Sequence, residues 1–243
     1  MRNIILVLVA CTTLAGCGDR NKSAQSASGV SVPGGDSSSA VSVEGGAKAQ
    51  AQAYLEKGNE LYQKNEDKSA AVAYEEAIKL DPDLAQAHLK LGLTYYVIGS
   101  RDDAEKEFKA AVEAYQKDLR SNPDQSQAQF ELAEAYNKLG KSEEAVRALK
   151  EAVRMVPDDS DYYFELGTTY MKLTQYQDAA SAFQKALEIE PDNFRAQEAL
   201  QTAKDNQQRK QAVMKQVQEQ ARKKEEDAKK IKIGGGLPPG LKQ

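Results

Sequence analysis

The sequence predicts an all-α fold of stacked helical hairpins. Small residues recur in register inside helical stretches, a large apolar residue follows each at a fixed distance, and a proline closes each unit. Composition agrees with this reading. At 40% hydrophobic and 29% charged residues, with no Trp and five Phe, the chain can build a core from Ala, Leu, Val and Tyr but holds no large aromatic cluster. Closely packed helices with small contact residues suit such a composition.

The repeat is legible from Ala47 to Asn193. Gly58, Gly92, Ala133 and Gly167 mark the middle of four helical stretches, and Leu61, Tyr95, Tyr136 and Tyr170 follow three residues later. Twelve residues after each small residue come Ala70, Ala104, Ala145 and Ala179. Tyr74, Phe108, Leu149 and Phe183 stand four further on, and Ala77, Ala111, Ala152 and Ala186 seven further on. Pro82, Pro123, Pro157 and Pro191 then stop the units. These four in-register copies resemble the tetratricopeptide repeat (TPR), a pair of antiparallel helices in which small residues permit close approach and large ones fill the gaps. The resemblance implies a right-handed TPR superhelix of four helix-turn-helix repeats over 47–193.

Two departures carry structural expectations. Lys57 takes a large-apolar position before Gly58, a seam that stays solvated because repeat one has no preceding neighbour. Pro123 falls seven residues late, about two helical turns, so the second helix of repeat two should protrude, with Tyr115 and Leu119 continuing the stripe of Phe108 and Ala111.

After Pro191 a helix from Phe194 shows Ala199, Leu200 and Ala203 on one face, as a solubility cap requires. Its pattern runs on to Ile231 as an extended charged helix whose apolar residues are Val213, Met214 and Val217, and 232–243 reads as a disordered tail. Charge divides between these parts. Residues 47–193 hold 18 Lys and Arg against 28 Asp and Glu, whereas 194–243 hold 12 against 6.

The N-terminus carries a compartment signal. Arg2, the apolar run Ile4–Ala10 and Gly16 read as a secretory signal peptide over 1–16, too short to span a membrane. Leu14-Ala15-Gly16-Cys17 resembles the bacterial lipobox, which implies acylation of Cys17 after cleavage. Cys11 sits too close to the start for that role. Gly18, rather than Asp, after the cysteine favours the outer membrane, with the chain facing the periplasm. Residues 17–46 then read as the lipidated cysteine and a flexible tether, rich in Ser, Gly and Ala. Its 29 residues from 18 to 46 give a root-mean-square reach of roughly 30 Å.

The chemistry-bearing residues are few. Both cysteines lie within the first seventeen residues, so no disulfide framework or Cys/His zinc site is expected. The single histidine, His88, stands at the fourth position of repeat two and reads as a packing residue. No Gly-x-Ser-x-Gly, Walker, His-Glu-x-x-His or calcium-loop pattern occurs. A net charge of -4 argues against a nucleic-acid binder. The expectation is a protein with no catalytic residues, no metal, no cofactor and no small-molecule substrate.

What remains is a binding surface. In the TPR family the first helices line a concave groove that holds a peptide. Position 5 here reads Leu55, Leu89, Phe130 and Phe164, position 9 reads Asn59, Leu93, Glu134 and Thr168, and position 12 reads Tyr62, Tyr96, Asn137 and Met171. The carboxylate clamp of chaperone adaptors is not retained: only Asn59 matches, with Leu55, Gln127 and Glu131 where basic residues would stand. An apolar groove with polar anchors suits an amphipathic or extended protein segment. The chain resembles pilotin-type lipoproteins and lipoprotein adaptors of peptidoglycan hydrolases. It is expected to be a lipid-anchored periplasmic scaffold acting in envelope-complex or pilus and secretin assembly. The alternative is an envelope tether whose basic C-terminal helix contacts an anionic polymer or membrane.

Overall fold

The computed structural model describes residues 37–234, with side-chain environments for 45–230. The signal segment, Cys17, the tether as far as residue 36 and the tail from 235 lie outside the described residues. Nine helices and no strand are found among those described: α1 (Ser37–Gln63), α2 (Asp67–Leu80), α3 (Ala85–Ile98), α4 (Arg101–Ser121), α5 (Ser126–Lys138), α6 (Ser142–Met155), α7 (Ser160–Lys172), α8 (Tyr176–Ile189) and α9 (Phe194–Gly234). Successive pairs form the four hairpins, and α9 packs on α8. The fold is a TPR superhelix.

The turns explain the boundaries. Each of the four turns within a hairpin contains one residue of positive φ: Asn65, Gly99, Gly140 and Thr174. Glycine takes this conformation freely and Asn tolerates it, whereas β-branched Thr174 adopts it at a steric cost. Between hairpins, the residue after each second helix is Asp81, Asn122, Val156 or Glu190, and each has extended φ/ψ. Proline follows every one of them, and its ring disfavours the helical region for the residue before it.

Inside the hairpins, small faces large. A Cβ added at Gly92 would come within 2.8 Å of the Phe108 ring, and one at Gly167 within 2.6 Å of the Phe183 ring. Gly58 meets the Tyr74 ring in the same manner. Repeat three has Ala133 where the others have glycine, and there the facing residue is the smaller Leu149, both in the core. The small partner therefore sets how near the two helices can come.

α4 runs 21 residues against 14 for α2, α6 and α8. Its extra turns continue the apolar stripe, with Tyr115 buried and Leu119 packed on the core. Lys57 is exposed, its Nζ 5.9 Å from the Tyr54 ring.

Two boundaries and one buried face differ from the sequence reading. α1 begins at Ser37, inside the segment expected to be tether. Once a helix is nucleated in the packed hairpin, adding residues to its end costs little. On α9, Ala196 joins Leu200 and Ala203 in the core while Ala199 is only partly covered, and α9 continues to Gly234, past the expected end at 231. Residues 208–230 of α9 are exposed on all sides. At the start of that stretch Lys210 Nζ donates to the Thr174 carbonyl at 3.0 Å and stands over the Tyr176 ring. No described helix is long and apolar enough to cross a membrane.

Gly92→Ala is expected to destabilise the chain by about 1–3 kcal/mol, the usual cost of overpacking a filled core. Combining it with Phe108→Leu, the pairing repeat three already uses, should recover at least about 0.5 kcal/mol relative to additivity. Denaturant melts of the two single variants and the double variant measure this coupling.

Candidate protein-interaction groove

First helices of successive units touch one another, α1 with α3, α3 with α5 and α7 with α9, and so form the inner wall of the superhelix. Three cavities follow that wall. The first, about 330 Å³, is lined by Asn59, Tyr62, Gln63, Tyr74, Gln86, Lys90 and Leu93. A central one of about 210 Å³ is lined by Phe130, Ala133, Glu134, Asn137, Lys138, Leu149, Glu165 and Lys172. The last, about 340 Å³, lies between α7 and α9 and includes Phe164, Thr168, Met171 and Arg195. Nine of the twelve residues expected in the groove thus line a cavity.

Tyr96 lines none of the three cavities but is 48% exposed, with the Arg101 guanidinium 5.1 Å from its ring and Lys138 Nζ at 5.7 Å on the other repeat. Leu55 and Leu89 are different: both are 0% exposed and belong to the core. They offer nothing to a partner, because at position 5 a leucine is short enough to be covered by the neighbouring helices. The larger Phe130 and Phe164 occupy the same position and remain partly uncovered. Phe130 stacks on Tyr162 with ring centroids 5.0 Å apart, and Phe164 lies under the Arg195 guanidinium at 4.5 Å.

Polar groups at the groove divide into those already engaged and those left open. Asn59 Oδ1 accepts from the Tyr74 hydroxyl at 2.9 Å. Glu131, where a clamp would have a basic residue, is buried. Its carboxylate accepts from the Tyr115 hydroxyl at 2.6 Å and from Gln86 and Gln127 at 3.0 Å each. The extended α4 supplies that tyrosine, so the lengthened helix and the buried carboxylate belong to one device joining α3, α4 and α5.

The central cavity holds groups that position-by-position reading missed. Glu165, Lys138 and Lys172 fall one residue beyond positions 5 and 12, and their signal is simply that helical faces are broader than four positions per turn pair. Burial, and then the charge of Glu134, push the Glu165 carboxyl above its usual range, against the weaker pull of Lys172, Arg195 and Lys138. Burial in turn lowers Lys172, with Lys138 adding to it. Asn137 Nδ2 donates to Thr169 Oγ1 at 2.8 Å, while its Oδ1 is buried without a partner.

His88 is a buried structural link. Its Nδ1 lies 2.7 Å from Glu107 Oε2 and its Nε2 lies 3.1 Å from the Pro82 carbonyl. Both partners are acceptors, so the doubly protonated ring satisfies both. Burial lowers its pKa, but the Glu107 and Pro82 contacts together outweigh this and hold it above the ordinary value. Among the described residues no group of three or more His, Cys, Asp or Glu is placed to hold a metal ion.

Family profiles described as TPR repeat and tetratricopeptide repeat match residues 58–99, 83–158 and 160–193. No curated protein sequence matches. Among solved structures, the PilF protein of Pseudomonas aeruginosa is similar at 20% identity over 68% of this chain and 72% of that one, with a TM-score of 0.53. A chain of the APC/C Cut9–Hcn1 hetero-tetramer is similar at 18% identity over 63% of this chain and 30% of that one, TM-score 0.51. The MamA protein is 25% identical over 78% of this chain and 98% of that one, TM-score 0.49. At such identities PilF and Cut9–Hcn1 speak to the fold.

The Glu165 shift has a pH signature. Its folded pKa is raised, so the folded state binds the proton more tightly, and stability falls as pH rises from the unfolded carboxylate range through the folded value. Glu165→Gln is therefore expected to raise the melting temperature at pH 8, and the gain should vanish below about pH 4, where both states are protonated. Thermal melts of both proteins across this range provide the check.

Proposed function

Because the chain belongs to the tetratricopeptide repeat family across 58–193, we propose that it is a protein-interaction scaffold that captures a segment of a partner protein in its concave groove. The observation that carries this is the run of three cavities along the first helices, walled by Tyr62, Leu93, Phe130, Phe164 and Met171. These apolar surfaces stay partly uncovered in the folded chain, and Tyr96 and Val97 beside them are 48% and 55% exposed. A partner that covers them gains burial, and the polar groups between them fix its register. The chain performs no chemistry of its own in this reading.

The finer reading rests on the N-terminal sequence. The signal segment and lipobox support acylation at Cys17 and an anchored adaptor facing the periplasm, at the outer membrane because Gly18 follows the cysteine. Assembly of envelope complexes, including pilus and secretin assembly, is the process that such an adaptor fits. A second reading, a tether acting through α9, is favoured by one observation: residues 208–230 are exposed throughout and carry eight Lys and Arg against four Asp and Glu. Salt-sensitive binding that survives groove substitutions would select it.

One experiment tests both levels of the proposal. Full-length protein is expressed in its host and captured from the membrane fraction after crosslinking. Cys17→Ala should remove it from that fraction. Leu93→Asp and Tyr96→Asp should leave the helical content intact and weaken partner capture by at least about tenfold, the hot-spot range. Capture unaffected by either groove substitution would contradict the groove reading.

A further inference from the structure

We propose that the central cavity is a recognition pocket for an arginine side chain of the partner segment, held by the Glu134 and Glu165 carboxylates and the Asn137 amide oxygen, with the Phe130 ring as one wall. The inference rests on the groove reading and adds the chemistry of its occupant. It begins from unspent acceptors. Asn137 has committed its Nδ2 to Thr169 Oγ1, and that hydroxyl donates onward to the Glu165 backbone carbonyl at 2.8 Å. The amide is thereby fixed in orientation, and its Oδ1 is buried without a partner. A buried acceptor in that condition costs free energy until a donor arrives.

Glu165 is half-buried and lines the same cavity as Glu134, whose charge bears on it, and among the described residues its carboxylate draws no side-chain hydrogen bond. Two carboxylates and one amide oxygen thus share the most enclosed of the three cavities. The lysines of the same cavity do not close this account. Lys138 is exposed with its ammonium over the Tyr96 ring instead, and Lys172 feels the charge of both carboxylates without an ion pair to either among the described residues. They cancel the net charge of the site, so a bare cation gains little there. Discrimination falls to hydrogen-bond geometry, in which a planar guanidinium with five donors exceeds a point-charge ammonium.

The chain contains its own precedent one repeat later. Phe164 occupies in repeat four the position of Phe130 in repeat three, and there α9 lays the Arg195 guanidinium over the ring at 4.5 Å. No described cation stands over Phe130, whose ring is held in place by Tyr162. A guanidinium stacked on Phe130 would reproduce the Arg195 arrangement with two carboxylates added.

The test uses full-length protein labelled for amide NMR and three blocked tripeptides, acetyl-Gly-X-Gly-amide, with X arginine, lysine or the neutral isostere citrulline. The arginine peptide is expected to shift the Asn137 side-chain amide and the backbone of 134–138 in a saturable manner. It should bind at least about fivefold more tightly than the lysine peptide, because the bidentate contacts are lost, with no saturable shift from citrulline. Glu165→Gln and Glu134→Gln, each checked for an unchanged helical spectrum, should weaken it at least about threefold, as removal of a charge-assisted contact does. Binding should weaken as pH falls and Glu165 takes up a proton, with Glu134, Lys138, Lys172 and Arg195 as the charges facing it.

Equal shifts from arginine and citrulline, or arginine binding indifferent to Glu165→Gln, overturn the proposal. Failure of the tripeptide while Leu93→Asp and Tyr96→Asp still abolish partner capture removes the arginine pocket alone. Seating of the tripeptide while those variants keep their partner overturns the groove reading, and with it the assignment to a partner's arginine.

Discussion

The close approach of the two helices in each repeat, a large side chain lying over a residue with little or no side chain, is the constraint on which the rest of the structure depends. Phe108 over Gly92 and Phe183 over Gly167 leave no room for another carbon between the helices. That contact fixes the hairpin, and hairpins built on the same contact stack on one another in succession. First helices then gather on the inner side, touching each other from repeat to repeat. The groove is a by-product of this packing and not a feature built by loops, and so its lining follows the repeat register.

That dependence explains both what the sequence discloses and what it conceals. Gly58, Gly92 and Gly167 with their partners sixteen residues on are visible as a period, and the prolines after each second helix mark where the period restarts. The seven-residue delay before Pro123 is legible too, and it appears as the longer α4. Burial within a given register is not legible in the same way. Leu55 and Phe130 share position 5, yet one is core and the other partly faces the groove. The difference lies in side-chain reach against neighbours that sequence alone does not place.

Polar contacts are harder still, because they join residues from different repeats. Glu131 meets donors on α3 and α4 as well as on its own helix. Nothing in the spacing of Gln86, Tyr115 and Glu131 announces that they converge, and the carboxylate reads in sequence as one more solvated glutamate. Asn137 and Thr169 are 32 residues apart, and their bond is what leaves one amide oxygen orphaned. The central cavity is therefore a property of stacking, whereas the apolar rim around it is a property of the repeat.

α9 follows the opposite logic. As far as Ala203 it obeys the packing rule and caps the last repeat, and beyond Gln207 it is exposed throughout, with Lys210 reaching back to Thr174 and Tyr176. Which of the two surfaces, the groove or this projecting helix, meets a partner decides what the protein does. The most direct measurement is site-specific photocrosslinking in the host with the reactive residue placed at Tyr96, at Phe164, at exposed Val72 on α2, and at Val213 on α9. The account predicts that Tyr96 and Phe164 trap the same protein partner and that Val72 traps none. Crosslinks confined to Val213, with the groove positions silent, would contradict it.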